Sequence, residues 1–262
     1  MTNFAHELRA RHSLLGYWVV SDSAAVAERV GGLGYDYVCL DMQHGLLDDQ
    51  AVRRGLTALD AVGCTGLIRV PGNEPGVIGR VLDAGARGVI VPLIDTAENA
   101  AAAVAACRYP PAGRRSYGPV RSGLRIGPDP RTANEQVVCI VMIETSVGLA
   151  NAPAICATPG VDAVYVGPSD LGLALGAATP AQGRELPGFA PALTAVRAAA
   201  EAAGIGAGIH CNTGGDAARA LADGFTFASI GSDLDHVAIQ ASAERQAVID
   251  ARPEASGSSP SR

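Results

Sequence analysis

Short apolar runs and Ala-rich stretches of helical period alternate eight times along this chain of 262 residues. The runs LLGYWVV (14–20), YDYVCLD (35–41), GLIRV (66–70), GVIVP (88–92), VCIVMIE (138–144), AVYVG (163–167), GIGAGI (204–209) and FTFASI (225–230) have the length and apolar or β-branched content of strands. Between them the pattern predicts helices near 23–32, 48–62, 75–84, 96–107, 146–157, 189–203, 213–223 and 233–249. Eight such units in about 250 residues fit an α/β fold of the (β/α)8 TIM-barrel kind. A doubly wound open sheet is the alternative, but no GxGxxG follows the first run, which weakens its dinucleotide-binding version. The reading is one barrel domain over 1–251, interrupted by a long Pro/Gly loop at 108–131, with a disordered Ser/Pro tail over 252–262.

All 20 basic residues are arginine, so the chain has no lysine. A Schiff-base aldolase, a pyridoxal phosphate enzyme and a Walker-type phosphate loop each need a lysine amine, and all three are excluded. The formal charge of -6 argues against nucleic acid or an anionic membrane as partner and favours a small molecule. With no apolar stretch of signal-peptide length and none approaching a membrane span, the expected location is the cytoplasm. The six cysteines show no CxxC spacing and read as structural thiols.

In such a barrel the reacting groups stand at the C-terminal ends of strands. The second run ends in LDMQHG, which offers Asp41 and His44; the third ends in Arg69; the fifth ends in Glu144; the sixth runs into GPSDLG with Ser169 and Asp170. Glu144 and Asp170 are 26 residues apart, one βα unit, so both carboxylates should face one mouth. Two hard oxygen ligands suit Mg²⁺ or Mn²⁺; the competing reading pairs Glu144 with a rim arginine and makes Asp170 a helix cap. His44 is the natural general base, with Asp41 fixing its tautomer, unless Asp41 caps the loop and His44 merely packs on the rim. Arg69 either pairs with a neighbouring strand-end carboxylate or holds a developing enolate oxygen. In the GPSD turn the amides of Ser169 and Asp170 can point at a carboxylate. His210 and Cys211 end the seventh run and could be soft ligands, though packing is the stronger reading.

Together LDMQHG, RVPG, AGARGVIVPLIDTAENAAAAVAACRYPPAGRRSYGP, VMIETSVGLAN and GVDAVYVGPSDLG resemble the metal-dependent pyruvate aldolases of the HpcH/HpaI type, 4-hydroxy-2-oxoheptanedioate aldolase and relatives. Five separated motifs occur in the family's order, from about residue 14 to 250. The resemblance implies a phosphoenolpyruvate/pyruvate-type barrel, assembled as a homo-oligomer, a hexamer or trimer, with the last helix exchanged between subunits. It implies Glu144 and Asp170 as metal ligands, His44 as base with Asp41 behind it, Arg69 as enolate stabiliser, and the Ser169 and Asp170 amides as holders of the pyruvate carboxylate. It further implies Mg²⁺ or Mn²⁺, with Co²⁺ or Zn²⁺ as lesser alternatives, no organic cofactor, and cleavage of a 4-hydroxy-2-oxo acid to pyruvate and an aldehyde. Gln43 and Met142 depart from the pattern, standing where a glutamate and a glutamine are usual. Of the six arginines at 108–131, Arg114, Arg115 or Arg121 could receive a distal substrate carboxylate, or the loop charges could be solvated or subunit contacts. Rival activities are an acyl-CoA lyase of the citrate-lyase β or malyl-CoA type, an oxaloacetate decarboxylase, and a non-catalytic pyruvate-binding protein.

Overall fold

A computed structural model describes residues 3–252. Eight strands, β1 (Leu14–Val19), β2 (Tyr37–Asp41), β3 (Thr65–Arg69), β4 (Gly88–Val91), β5 (Val138–Ile143), β6 (Ala163–Val166), β7 (Gly206–Cys211) and β8 (Phe227–Ile230), form a closed barrel in sequence order. All neighbours are parallel, and β8 closes on β1 with Leu14 opposite Phe227. Each strand lies within two residues of its expected bounds. The tail expected over 252–262 falls, beyond Arg252, outside the described residues.

Strand parity divides the core in two. Successive side chains of a strand point to opposite faces. Outward residues such as Val38, Leu40, Ile68, Val89 and Val141 pack beneath the helices, and inward ones such as Trp18, Tyr37, Leu67, Ile140, Tyr165 and Phe227 fill the barrel. The large interior rings need sockets. A Cβ on Gly16 would lie 2.1 Å from the Tyr37 ring, and one on Gly208 would lie 2.3 Å from the Phe227 ring, so only glycine fits at either place. Tyr37 and Tyr165 both bond the Ser229 hydroxyl, at 2.8 and 2.9 Å, which satisfies the interior phenols.

A short helix, Phe4–Arg9, closes the N-terminal end of the barrel by inserting Phe4, Ala5 and Leu8 into the inner cluster. Arg9 ties this plug down: Nε donates to Asp162 (2.7 Å) and Nη2 to the Val137 carbonyl (3.0 Å). Asp162 also accepts from Arg108 Nη2 and the Cys139 amide, each at 2.7 Å. Arg108 thus serves the scaffold. The same holds for Arg115, paired with Asp83 at 2.6 Å and lying over the Tyr109 ring, and for Arg121, paired with Asp60. Within one chain, then, Arg115 and Arg121 are engaged away from the C-terminal rim, and of the three candidates for a distal carboxylate Arg114 alone is exposed.

Two local features differ from the expected pattern. The helix expected over 146–157 is broken into Ser146–Ala150 and Ala152–Cys156, because Pro153 lacks an N–H and clashes with the preceding turn. The stretch 108–131 contains a turn of helix at Ser122–Arg125 and leads into Pro130–Gln136, capped by Asp129. All six cysteines are free and buried, as expected of structural thiols. The last helix, Asp233–Asp250, buries only Asp233 and leaves Leu234, Val237, Ile239 and Val248 exposed. No described helix is long and apolar enough to cross a membrane.

Candidate active site

The register of β2 on β3 sets Asp41 opposite Arg69, both pointing inward at the C-terminal end of the barrel. Their side chains form a forked pair: Arg69 Nε donates to Asp41 Oδ1 (2.8 Å) and Nη2 to Oδ2 (2.5 Å). The Trp18 indole donates to Oδ2 at 3.2 Å, and the Gln43 amide to Oδ1 at 2.9 Å. Burial works to raise the Asp41 carboxyl, but the bonds and charge of Arg69 outweigh it and hold the pKa below the ordinary carboxylate value. Arg69 is likewise held above its ordinary value, the Asp41 contact overcoming desolvation, and its guanidinium lies 5.1 Å from the Trp18 ring.

The expected contact of Asp41 with the His44 ring is therefore replaced by one with Arg69. Asp41 meets His44 only at the backbone, where the His44 amide approaches Oδ1 at 3.4 Å. The imidazole itself is exposed on the loop after β2. The physical reason is register: a strand neighbour directly opposite is closer to a carboxylate than a side chain three residues along an outgoing loop.

Glu144 follows β5 by one residue and is 2% exposed. Its Oε1 accepts from the Leu93 amide at 2.9 Å, while Oε2 is buried and has no hydrogen-bond partner among the described residues. Across the barrel wall, one residue past β6, stands Gly167, where a Cβ would lie 2.4 Å from Oε2. Desolvation, reinforced by the charge of Asp170 and only partly offset by the Leu93 N–H and Arg69, raises the Glu144 pKa to about 7. A buried, unpaired carboxylate oxygen beside a second carboxylate is unfavourable alone and is relieved by a cation. Glu144 and Asp170 therefore fit a hard divalent ion, as two of its oxygen ligands. No cluster of three or more His, Cys, Asp or Glu able to hold a metal occurs among the described residues. An ion held by these two carboxylates alone would take the rest of its shell from small ligands, as Mg²⁺ commonly does. On a metal-binding reading only the ionised carboxylate would be a ligand, so Mn²⁺ affinity should rise as pH climbs from 6 through about 7 and level off above 8. Calorimetric titration at several pH values checks this, and a flat profile would contradict it.

Asp170 and Ser169 lie in the first turn of helix Pro168–Ala174, both exposed, with Pro168 at the first helical position. First-turn amides have no intrahelical acceptor, so those of Ser169 and Asp170 are available to an anion. His210 points inward and packs edge-on against Trp18 at 5.1 Å, whereas Cys211, next along β7, belongs to the outer layer. Opposite faces of one strand cannot share a metal, which removes the soft-ligand pair. Burial, with the charges of Arg69 and Arg184, lowers the His210 pKa to about 4, so its ring is neutral at pH 7. Met142 is buried with its methyl beside Gly167, and the Gln43 side-chain carbonyl is buried without a partner among the described residues. Gln43 supplies no charge where the family pattern has a glutamate, and Met142 no amide hydrogen bonds where it has a glutamine. Sequence reasoning missed Trp18, the indole that touches Asp41, Arg69 and His210; its signal was the parity Leu14, Gly16, Trp18 on the first strand.

Residues 14–240 match the family model described as HpcH/HpaI aldolase/citrate lyase. The chain is 40% identical over 243 residues to a hydroxypyruvate/pyruvate aldolase of Rhizorhabdus wittichii, covering 92% of this chain and 95% of that one. It is 36% identical over 248 residues to a 4-hydroxy-2-oxovalerate aldolase of Rhodococcus jostii, covering 93% and 94%. A crystal structure of an HpcH/HpaI aldolase/citrate lyase family protein from Burkholderia cenocepacia superposes with a TM-score of 0.86 at 33% identity, over 97% of this chain and all of the other.

Proposed function

The chain belongs to the HpcH/HpaI aldolase/citrate lyase family, and on that premise we propose that it is a divalent-metal-dependent pyruvate aldolase, cleaving 4-hydroxy-2-oxo acids to pyruvate and an aldehyde and joining them in reverse. It is a carbon–carbon lyase. The observation that carries the metal-dependent reading is Glu144: a buried carboxylate with one oxygen tied by an amide and the other unpartnered, next to the charge of Asp170. Glu144 and Asp170 would hold Mg²⁺ or Mn²⁺, which when bound supplies a Lewis acid for the charge that develops on the keto oxygen.

The protein's own groups do the rest. The amides of Ser169 and Asp170 receive the substrate carboxylate at the start of their helix. Arg69, fixed by Asp41 through Nε and Nη2, keeps Nη1 for the enolate oxygen. His44, exposed at the rim, takes the 4-hydroxyl proton; the C3–C4 bond breaks, the aldehyde departs, and a proton returned to C3 completes pyruvate. The exposed Leu234, Val237 and Ile239 on the last helix support assembly as a homo-oligomer, a trimer or hexamer, in which another copy covers that face.

The test couples pyruvate release from a panel of 4-hydroxy-2-oxo acids to lactate dehydrogenase, with oxaloacetate and malyl-CoA as competing substrates. Activity is expected to vanish in EDTA and return with Mg²⁺ or Mn²⁺, and His44→Ala to lower it by about 10²- to 10⁴-fold. Turnover that survives full chelation would sink the reading.

A further inference from the structure

Leu93, between β4 and helix Ala97–Cys107, has a φ of +56°, a left-handed conformation that costs a non-glycine residue energy. Its side chain is 55% exposed, so apolar packing does not account for the strain. What the conformation does is aim the backbone: the Leu93 amide donates to Glu144 Oε1 at 2.9 Å. The segment is sewn down on both sides. The Ile94 amide donates to the Met142 carbonyl (3.3 Å), Asn151 Nδ2 to the Asp95 carbonyl (2.8 Å), and the Thr145 hydroxyl to the Asp95 carboxylate. Gly148 permits this close approach, since a Cβ there would lie 2.7 Å from the Ile94 carbonyl oxygen. Strained backbone persists where its surroundings over-determine it, and such residues gather at functional sites.

We propose that Leu93 is a positioning residue for the metal carboxylate: its left-handed backbone pins Oε1 of Glu144 and thereby fixes Oε2 toward the ion. The inference rests on the metal reading above. A glutamate has three side-chain torsions to immobilise, and an amide that holds one oxygen before the ion arrives removes the last of them in advance. Leu93 acts here through its backbone, so residues that accept positive φ should replace it and β-branched residues should not.

Manganese binding to the metal-free chain, followed by electron paramagnetic resonance at pH 8, tests this. Leu93→Gly and Leu93→Asn are expected to keep the wild-type Kd within about threefold, and Leu93→Val to weaken it by about tenfold. Wild-type affinity in Leu93→Val, or losses in Gly and Asn as large as in Val, would overturn the assignment. Amide hydrogen exchange supplies a second readout that needs no Leu93 variant. The Leu93 N–H should exchange at least about tenfold more slowly in the wild type than in Glu144→Ala; equal rates would also overturn it. A wild type that binds no Mn²⁺, or a Glu144→Gln that binds it as tightly, would instead remove the metal reading and this inference with it.

Discussion

Replacing Glu144 with glutamine is expected to abolish metal-dependent turnover while making the metal-free protein more stable at pH 8. The two effects share one cause. Burial and the neighbouring Asp170 charge lift the Glu144 pKa from 4.5 to about 7. An acid whose folded pKa exceeds its unfolded value contributes stability below about 4.5, and that contribution is lost as pH rises through about 7. At pH 8 the ionised carboxylate therefore costs the metal-free fold about 3 kcal/mol, taking roughly 1.4 kcal/mol for each pKa unit. Glutamine keeps Oε1 as acceptor for the Leu93 amide but carries no charge, so it recovers that energy and loses the ion. A rise of several degrees in Tm without metal, at about 2 to 4 °C per kcal/mol for a chain near this size, distinguishes it from a packing defect. Retained turnover, or a lowered Tm, would contradict the role given to Glu144.

Breaking the Asp41–Arg69 pair should have an effect of similar size but opposite sign on stability. Arg69 is 9% exposed and Asp41 1%, so Asp41→Ala leaves a buried guanidinium with no carboxylate. Such a loss costs about 3–5 kcal/mol. Arg69→Met strands the carboxylate in the same way. The double variant removes both charges and should fall short of the summed losses by about 1–3 kcal/mol, because neither ion remains unpaired. Urea midpoints for the four proteins measure this, and simple additivity would mean that the pair does not act as a unit. None of the three variants should turn over substrate well, since each loses the fixed Arg69 donor.

The barrel was legible because period and punctuation are local properties. Apolar runs bounded by glycine or proline located every strand, and strand ends located Asp41, Arg69, Glu144 and Asp170. What stayed illegible depended on which neighbours face each other. Whether Asp41 serves His44 or Arg69 is decided by the register of β2 on β3, which no property of the LDMQHG motif encodes. The scaffold roles of Arg115 and Arg121 are similar, since Asp83 and Asp60 lie tens of residues earlier. Leu93 was hidden for another reason: positive φ is normally announced by glycine, and here the neighbouring segment imposes it on leucine. The break at Pro153, by contrast, is a local signal, since a proline inside a helical period ends or kinks the helix.

The plug formed by Phe4, Ala5 and Leu8 beneath a barrel filled with aromatic rings leaves the site a single mouth. In a blind well the order of traffic follows depth. On the aldolase reading proposed above, pyruvate would sit deepest, beside buried Glu144, entering before the aldehyde in the joining direction and leaving after it in cleavage. Initial rates should show this as pyruvate inhibiting competitively against the hydroxy-oxo acid and the aldehyde inhibiting noncompetitively. The short helix completes the closed pole of the barrel, and the order of arrivals and departures expected at the other pole follows from that closure.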